Sequence, residues 1–178
     1  MEENMYGKVL HFEDGTSSIC NVAAVLKNVK TGEKRVHWGA NLVTTEGDKY
    51  YAEAAVGAPS WAVGGIRLGI GTLDPPAKGD TDVETELAGG EGEQVIDATY
   101  PKVSDTDGDN TGSGPAVVSW RVTYDTNSAI GANITELALV DSITAPTKAL
   151  TRVKFSAQFT KTTNDTLKVF VNHTFQGV

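Results

Sequence analysis

The side chains best equipped for chemistry gather in a few places along this 178-residue chain. The first is Asp105-Thr-Asp107-Gly-Asp109-Asn110. Carboxylates at alternate positions are what a calcium loop uses, because hard oxygen ligands converge there from one side of a tight turn. The pattern then departs, with Asn110 where such a loop needs glycine and Ala116 where it needs a bidentate glutamate. Asp105, Asp107 and Asp109 therefore read as a solvated acidic turn, with cation binding left open. The second place is the pair Glu84 and Glu86, inside a polar stretch that reads as flexible. A glycosidase needs two carboxylates held at a fixed separation by rigid elements, which such a stretch does not supply.

The histidines are His11, His37 and His173, and no Gly-x-Ser-x-Gly elbow accompanies them. His173 falls on the apolar face of a strand, so it reads as a hydrogen-bonded, partly buried ring and not as a general base. Gly64-Gly65 and Gly69-x-Gly71 lack the Lys-Ser/Thr of a phosphate loop and read as close backbone packing. Trp38, Trp61 and Trp120 suit sugar stacking in type, which keeps a glycan-binding or glycan-cleaving module among the hypotheses. Core or interface anchoring is the commoner use of such rings. Cys20 is the sole cysteine, which excludes an intramolecular disulfide and a cysteine-based zinc site; it reads as a small buried hydrophobe. The sequence thus predicts no catalytic, cofactor-binding or metal-ligating residues, and no enzyme.

The formal net charge is −8, with basic residues scattered apart from Lys27, Lys30, Lys34 and Arg35. Nucleic-acid binding draws on counterion release at a basic face, so it is disfavoured as a main role, as is an anionic membrane. The opening Met-Glu-Glu-Asn-Met is unlike a signal peptide, and no apolar run approaches the ~20 residues of a bilayer span.

The elements that must position these groups are mostly strands. Tyr6 to Phe12 reads as a strand, and Asn21 to Val29 meets Arg35 to Trp38 across the turn Lys30-Thr31-Gly32-Glu33. Thr44 or Thr45 caps the one convincing helix, about ten residues ended by Gly57-Ala58-Pro59. Ile66, Leu68 and Ile70 alternate with Arg67 and Gly69, after which residues 71–93 form a polar excursion over the surface. A second such loop runs from Ser104 to Pro115, and the two are the expected surface for partner contacts. Three apolar alternations close the chain: Val118, Trp120, Val122, Tyr124; Thr151, Val153, Phe155, Ala157, Phe159; and Leu167, Val169, Val171, His173, Phe175. One-sided alternation predicts sheets with one buried and one wet face. The expected fold is all-β: an antiparallel β-sandwich, with a jelly roll as one topology, and one short helix. One domain covers residues 1–178, with residues 1–40 as an N-terminal hairpin or arm packed on it.

Four stretches together resemble a broad group of small β-sandwich structural proteins of tailed bacteriophages. Asn41-Leu-Val-Thr-Thr-Glu-Gly47 resembles that group's N-L-V-T-x-x-G opening. Ile66-Arg-Leu-Gly-Ile-Gly-Thr72 followed by Asp80-Thr and Glu84-Thr-Glu-Leu87 resembles its I-x-x-G-x-G-T … D-T-x-L-x-x-E stretch. Ile134-Thr-Glu-Leu-Ala-Leu139 is similar to its I-x-E-x-x-L strand. Thr151-Arg-Val-Lys-Phe155 with Lys161-Thr-Thr-Asn-Asp-Thr-Leu-Lys-Val169 is similar to its closing hairpin. Glu84 to Leu87 reorders the acidic and apolar positions of the pattern, and residues 88–115 are longer than usual. The resemblance implies a cement or decoration protein on the capsid exterior, a homotrimer contacting major capsid protein subunits, without cofactors. The same group supplies tail, baseplate and fibre components, which is the alternative.

Overall fold

The computed structural model describes residues 19–71, 75–103 and 117–174, with side chains from residue 22 onward. The expected strand Tyr6 to Phe12, His11, the side chain of Cys20, the acidic turn Asp105 to Asp109 within Ser104 to Pro115, and Phe175 lie outside the described residues.

The elements are β1 (Ile19–Asn28), β2 (Lys34–Val43), α1 (Thr45–Ala55), β3 (Gly65–Gly69), β4 (Glu93–Val95), β5 (Lys102–Val103), β6 (Val117–Tyr124), β7 (Asn133–Val140), β8 (Ala149–Thr160) and β9 (Asp165–Thr174), with a single 3-10 turn at Ala88–Gly90. The chain is thus mostly strand with one short helix, as its alternating pattern predicts. The strands form one nine-stranded antiparallel sheet in the order β4-β3-β7-β8-β2-β1-β9-β6-β5. The expected sandwich calls for two hydrogen-bonded sheets. Here the pairing of β2 with β8, from Gly39↔Phe155 to Val43↔Thr151, joins the strands into one. The sheet curls into a half-barrel. Its two ends approach where Asp97 N–H donates to the Arg121 carbonyl at 2.9 Å and the Gln94 side-chain amide to the Thr123 carbonyl at 2.8 Å. β1 and β2 are interior strands of this sheet.

Period-two alternation places the core. Across β1, β9 and β6, three rows meet in register: Val22, Val171 and Trp120; Ala24, Val169 and Val122; Leu26, Leu167 and Tyr124. All are buried, and they join Ile66 and Leu68 of β3 and Leu137 and Leu139 of β7 in one cluster. Burying each leucine or valine side chain is worth about 1.5–3 kcal/mol, so these rows dominate the stability of the sheet. Tyr124 keeps its hydroxyl satisfied in the core by donating to the Gly92 carbonyl at 2.8 Å.

Alternation along β8 holds at Thr151, Val153 and Phe155, fails at the exposed Ala157, and resumes at Phe159. The register explains the failure. Ile134 pairs with Phe159 but Glu136 pairs with Lys154, so Thr135 alone faces four residues of β8. Such a bulge turns Ser156, Ala157 and Gln158 outward.

Thr44 is the helix cap. Its hydroxyl accepts from Gly47 N–H at 3.0 Å and donates to the Ala149 carbonyl, tying the first turn of α1 to β8. Glu46 and Asp48 occupy the positive end of the helix dipole. A Cβ at Gly47 would lie 2.1 Å from the Leu150 carbonyl oxygen, so only glycine lets the helix approach the strand this closely. Among the described residues, no helix is long and apolar enough to cross a membrane.

Candidate functional site: an ionic network on the outer face of the sheet

The outer face of β3, β7 and β8 carries two arginines. Register sets Arg67, Ala138 and Arg152 side by side, with Glu136 one step along β7. The small side chain between the guanidiniums leaves room above the sheet, and residues 80–86 lie there.

That segment, Asp80-Thr-Asp-Val-Glu-Thr-Glu86, has an acid at every second position. The acids alternate between the arginines. Asp80 meets Arg152 at 2.7 Å and Glu84 meets it at 3.6 Å. Asp82 meets Arg67 at 3.2 Å, and Glu86 meets it at 2.5 Å. Glu93 of β4 approaches Arg67 at 3.7 Å. The sequence predicts a flexible acidic excursion here, whereas these contacts hold residues 80–86 against the sheet. The segment bends at Asp82 and again at Glu84 and Thr85, and its acids reach the two cations in turn. Val83 packs on Ala138, Val140 and Ala149, giving the contact a small apolar floor.

Glu136 is the hub. Its Oε2 accepts from Arg152 Nε at 3.0 Å and Nη2 at 2.7 Å. Its Oε1 accepts from the backbone N–H groups of Gly71 at 3.0 Å, Glu84 at 3.0 Å and Thr85 at 3.2 Å. Both residues are buried. A buried carboxylate is tolerated when it is paired and its lone pairs are filled, and here five bonds fill them. The glycine at position 71 belongs to the same arrangement, since a Cβ there would sit 2.3 Å from Glu136 Oε1. The network holds more carboxylates than arginines. Burial pushes the Asp82 carboxyl up, against the opposing pull of Val83 N–H and Arg67. Burial and the neighbouring Glu86 carboxyl raise Glu93.

His173 occupies a second polar site, inside the core. Asn41 Nδ2 lies 3.1 Å from its Nε2, and the Tyr51 hydroxyl contacts its Nδ1. Trp120 meets the ring edge-on at 5.1 Å between centroids. With no charged partner, burial alone lowers its pKa to about 3. It is the hydrogen-bonded ring the sequence predicts, more deeply buried than expected. A base needs a free nitrogen within reach of substrate, and neither nitrogen here is free.

The remaining candidates are apart. His37 stacks on Phe159 at 4.4 Å, and burial, with Arg35 nearby, lowers its pKa. Trp61 packs on Tyr50 at 4.8 Å. Trp120 is 2% exposed and presents no face to a sugar. Among the described residues, no group of three His, Cys, Asp or Glu side chains is arranged to hold a metal ion.

Sequence reasoning misses Lys161. It is fully buried, its Nζ has no hydrogen-bond partner, and neither has Asp165 Oδ1. Burial lowers the amine's pKa although Asp125, Asp165 and Glu91 pull the other way. It also assigns Arg67 and Arg152 to a wet face. The acid spacing at 80–86 was the available signal that something basic lies opposite.

Compared with known proteins, the chain matches no family model, no curated protein and no solved structure.

Proposed function

We propose that this chain is a non-enzymatic structural protein of a tailed-bacteriophage particle: a cement or decoration protein on the capsid exterior, bridging major capsid protein subunits as a homotrimer. The observation that supports this reading is the convergence of the resemblance's separate stretches. Gly71, Asp80, Glu136 and Arg152 meet in one ionic network. Asn41 meets His173, and Thr44 and Gly47 seat the helix on β8. Residues spread over more than half the chain are thus consumed in holding one scaffold, which is what a shared structural pattern requires. The polar groups best placed for acid–base work are satisfied internally: Glu136 by five hydrogen bonds and His173 at both ring nitrogens. We also read the curled sheet as a distorted sandwich, its strands β4-β3-β7-β8 and β2-β1-β9-β6-β5 acting as two leaves around the shared core.

Function on this reading is binding: many copies, each making modest contacts, add free energy that favours the assembled shell. Immunogold labelling of intact particles tests it. Label spread evenly over the head is expected, and purified protein should bind shells that lack it and raise their melting temperature. Label confined to the tail moves the protein to the tail or baseplate, and failure to bind deficient shells ends the decoration reading.

A further inference from the structure

Two of the carboxyl groups over the sheet stand against each other. Register places Glu93 of β4 directly opposite Arg67 of β3, and an isolated bridge places Glu86 opposite Gly69, two residues along the same strand. Positions 67 and 69 share a face, so both acids rise beside the same guanidinium. They converge on one nitrogen: Glu86 Oε2 lies 2.5 Å and Glu93 Oε1 3.7 Å from Arg67 Nη2. The two side chains are also hydrogen-bonded to each other. Ionised carboxylates only accept hydrogen bonds, so that contact needs a proton held on one of them.

The surroundings favour keeping that proton. Among the described residues six carboxyl groups meet two guanidiniums here: Asp82, Glu86 and Glu93 at Arg67 of β3, and Asp80, Glu84 and Glu136 at Arg152 of β8. One cation serves three acids at the Arg67 end. Burial first, then the hydrogen bond and charge of Glu86, raise the Glu93 carboxyl, while Arg67 pulls the other way. Burial also raises Asp82, against the Val83 N–H, Arg67 and the Thr147 hydroxyl. Tyr124 of β6, which feels the Glu93 charge, stays neutral because burial raises its hydroxyl well above its ordinary value.

Glu86 sits where the crossing segment is fastened to β3. Ile70 N–H donates to the Thr85 carbonyl at 2.8 Å, and Leu87 N–H donates to the Leu68 carbonyl at 3.3 Å. Repulsion between Glu86 and Glu93 therefore acts directly on the bonds that hold residues 85–87.

We propose that Glu86 and Glu93 share a proton and make this end of the segment a pH-sensitive clasp: with the proton they are bonded over Arg67, and without it they repel and residues 85–87 loosen from β3. The folded protein holds the proton at a pH where the unfolded chain has lost it. The stabilisation is therefore complete below about pH 4.5 and is lost as pH rises through the raised folded value. At the Arg152 end, Glu136 fastens the segment through the N–H groups of residues 84 and 85, and that end stays closed. This inference stands independently of the particle assignment.

The test is nuclear magnetic resonance of the full chain between pH 4 and pH 8, following side-chain carboxyl carbons and amide exchange. The Glu93 carboxyl carbon is expected to titrate above 4.5, with the Glu86 carboxyl carbon responding at the same midpoint. Exchange protection at Ile70 and Leu87 should fall as pH rises through that midpoint, by at most about tenfold per pH unit, since one proton is involved. Glu93→Gln offers Glu86 an amide N–H and no opposing charge, so this variant should lose most of that fall. The proposal is overturned if the two carboxyl groups titrate independently, a result that needs no variant. Protection at Ile70 and Leu87 that stays level or rises with pH overturns it too, as does a fall in Glu93→Gln as steep as in the unaltered protein.

Discussion

Replacing Glu136 by glutamine should destabilise the fold more than any change among the acids above it. Arg152 and Glu136 are both buried, and Arg152 donates two of its hydrogen bonds to this one carboxylate. Glutamine keeps a carbonyl for the N–H groups of Gly71, Glu84 and Thr85. It presents an amide NH2 to the guanidinium, however, and removes the one fully buried carboxylate among the three that meet it. Breaking one side of a buried pair costs about 3–5 kcal/mol; Asp80 and Glu84 still meet Arg152, which places the cost at the lower end, about 3 kcal/mol. For a domain of this size each kcal/mol lowers the melting temperature by about 2–4 °C, so Glu136→Gln should melt roughly 10 °C lower. Arg152→Met should cost less, about 2–3 kcal/mol, since the carboxylate keeps its three backbone donors.

The decisive quantity is the coupling. Urea unfolding at pH 7, followed by the fluorescence of buried Trp120, should give unchanged slopes for the single variants and a double-variant loss smaller than the sum by about 2 kcal/mol. A Glu136→Gln loss below about 1 kcal/mol, or additivity within about 0.3 kcal/mol, would refute the account of this pair as a buried hub.

Asp80→Asn should cost no more than about 1 kcal/mol in the same assay, its pairing being partly solvated. His173→Phe should flatten the acid limb of the stability curve. The folded-state pKa near 3 lies below the unfolded value of about 6.5, so the unfolded chain binds the extra proton between them. Stability of the unaltered protein therefore falls with pH below about 6.5, with this group contributing at most about 1.4 kcal/mol per pH unit, and the variant should lose that slope in denaturant melts at pH 4 to 7. Lys161→Met should raise stability by about 1 kcal/mol at pH 7, because it removes a buried amine without a partner. Its folded pKa is lowered, so the unaltered protein gains on the variant as pH rises toward 10, and a gap that widens instead would contradict the assignment. Gly47→Ala should cost about 2 kcal/mol or more in thermal melts, since its Cβ meets the β8 backbone.

Alternation carries most of the fold because it reports which face of a strand is wet, and that is a local property. Trp120, Val122 and Tyr124 are inward for the reason their spacing gives. Alternation says nothing of which strands are neighbours. The pairing of β2 with β8, which joins the expected sheets into one, rests on contacts more than a hundred residues apart, and no local pattern encodes it. The same limit hides the ionic network. Arg67 and Arg152 alternate with apolar residues as surface residues do, and their burial depends on a segment that crosses over them. Lys161 gives no signal at all, since its burial follows from the packing of the β8–β9 hairpin end against its neighbours.

The geometry of Glu136 also bears on how residues 84–87 are held. Glu136 holds this segment through the backbone N–H groups of residues 84 and 85, which are the same for every residue except proline. The side chains of Glu84 and Glu86 are partly solvated and add to a charge surplus, so each contributes little alone. Asp80 and Glu136 both meet Arg152 and are more buried. Changes of side chain at 84 and 85 are therefore compatible with the clamp, whereas proline at either position is not. Thr85→Pro should release the segment and destabilise the fold by about 3 kcal/mol, while Thr85→Val should stay within about 0.5 kcal/mol of the unaltered protein. Equal losses for the two in urea unfolding would show that the segment is held by its side chains and not by the Glu136 clamp.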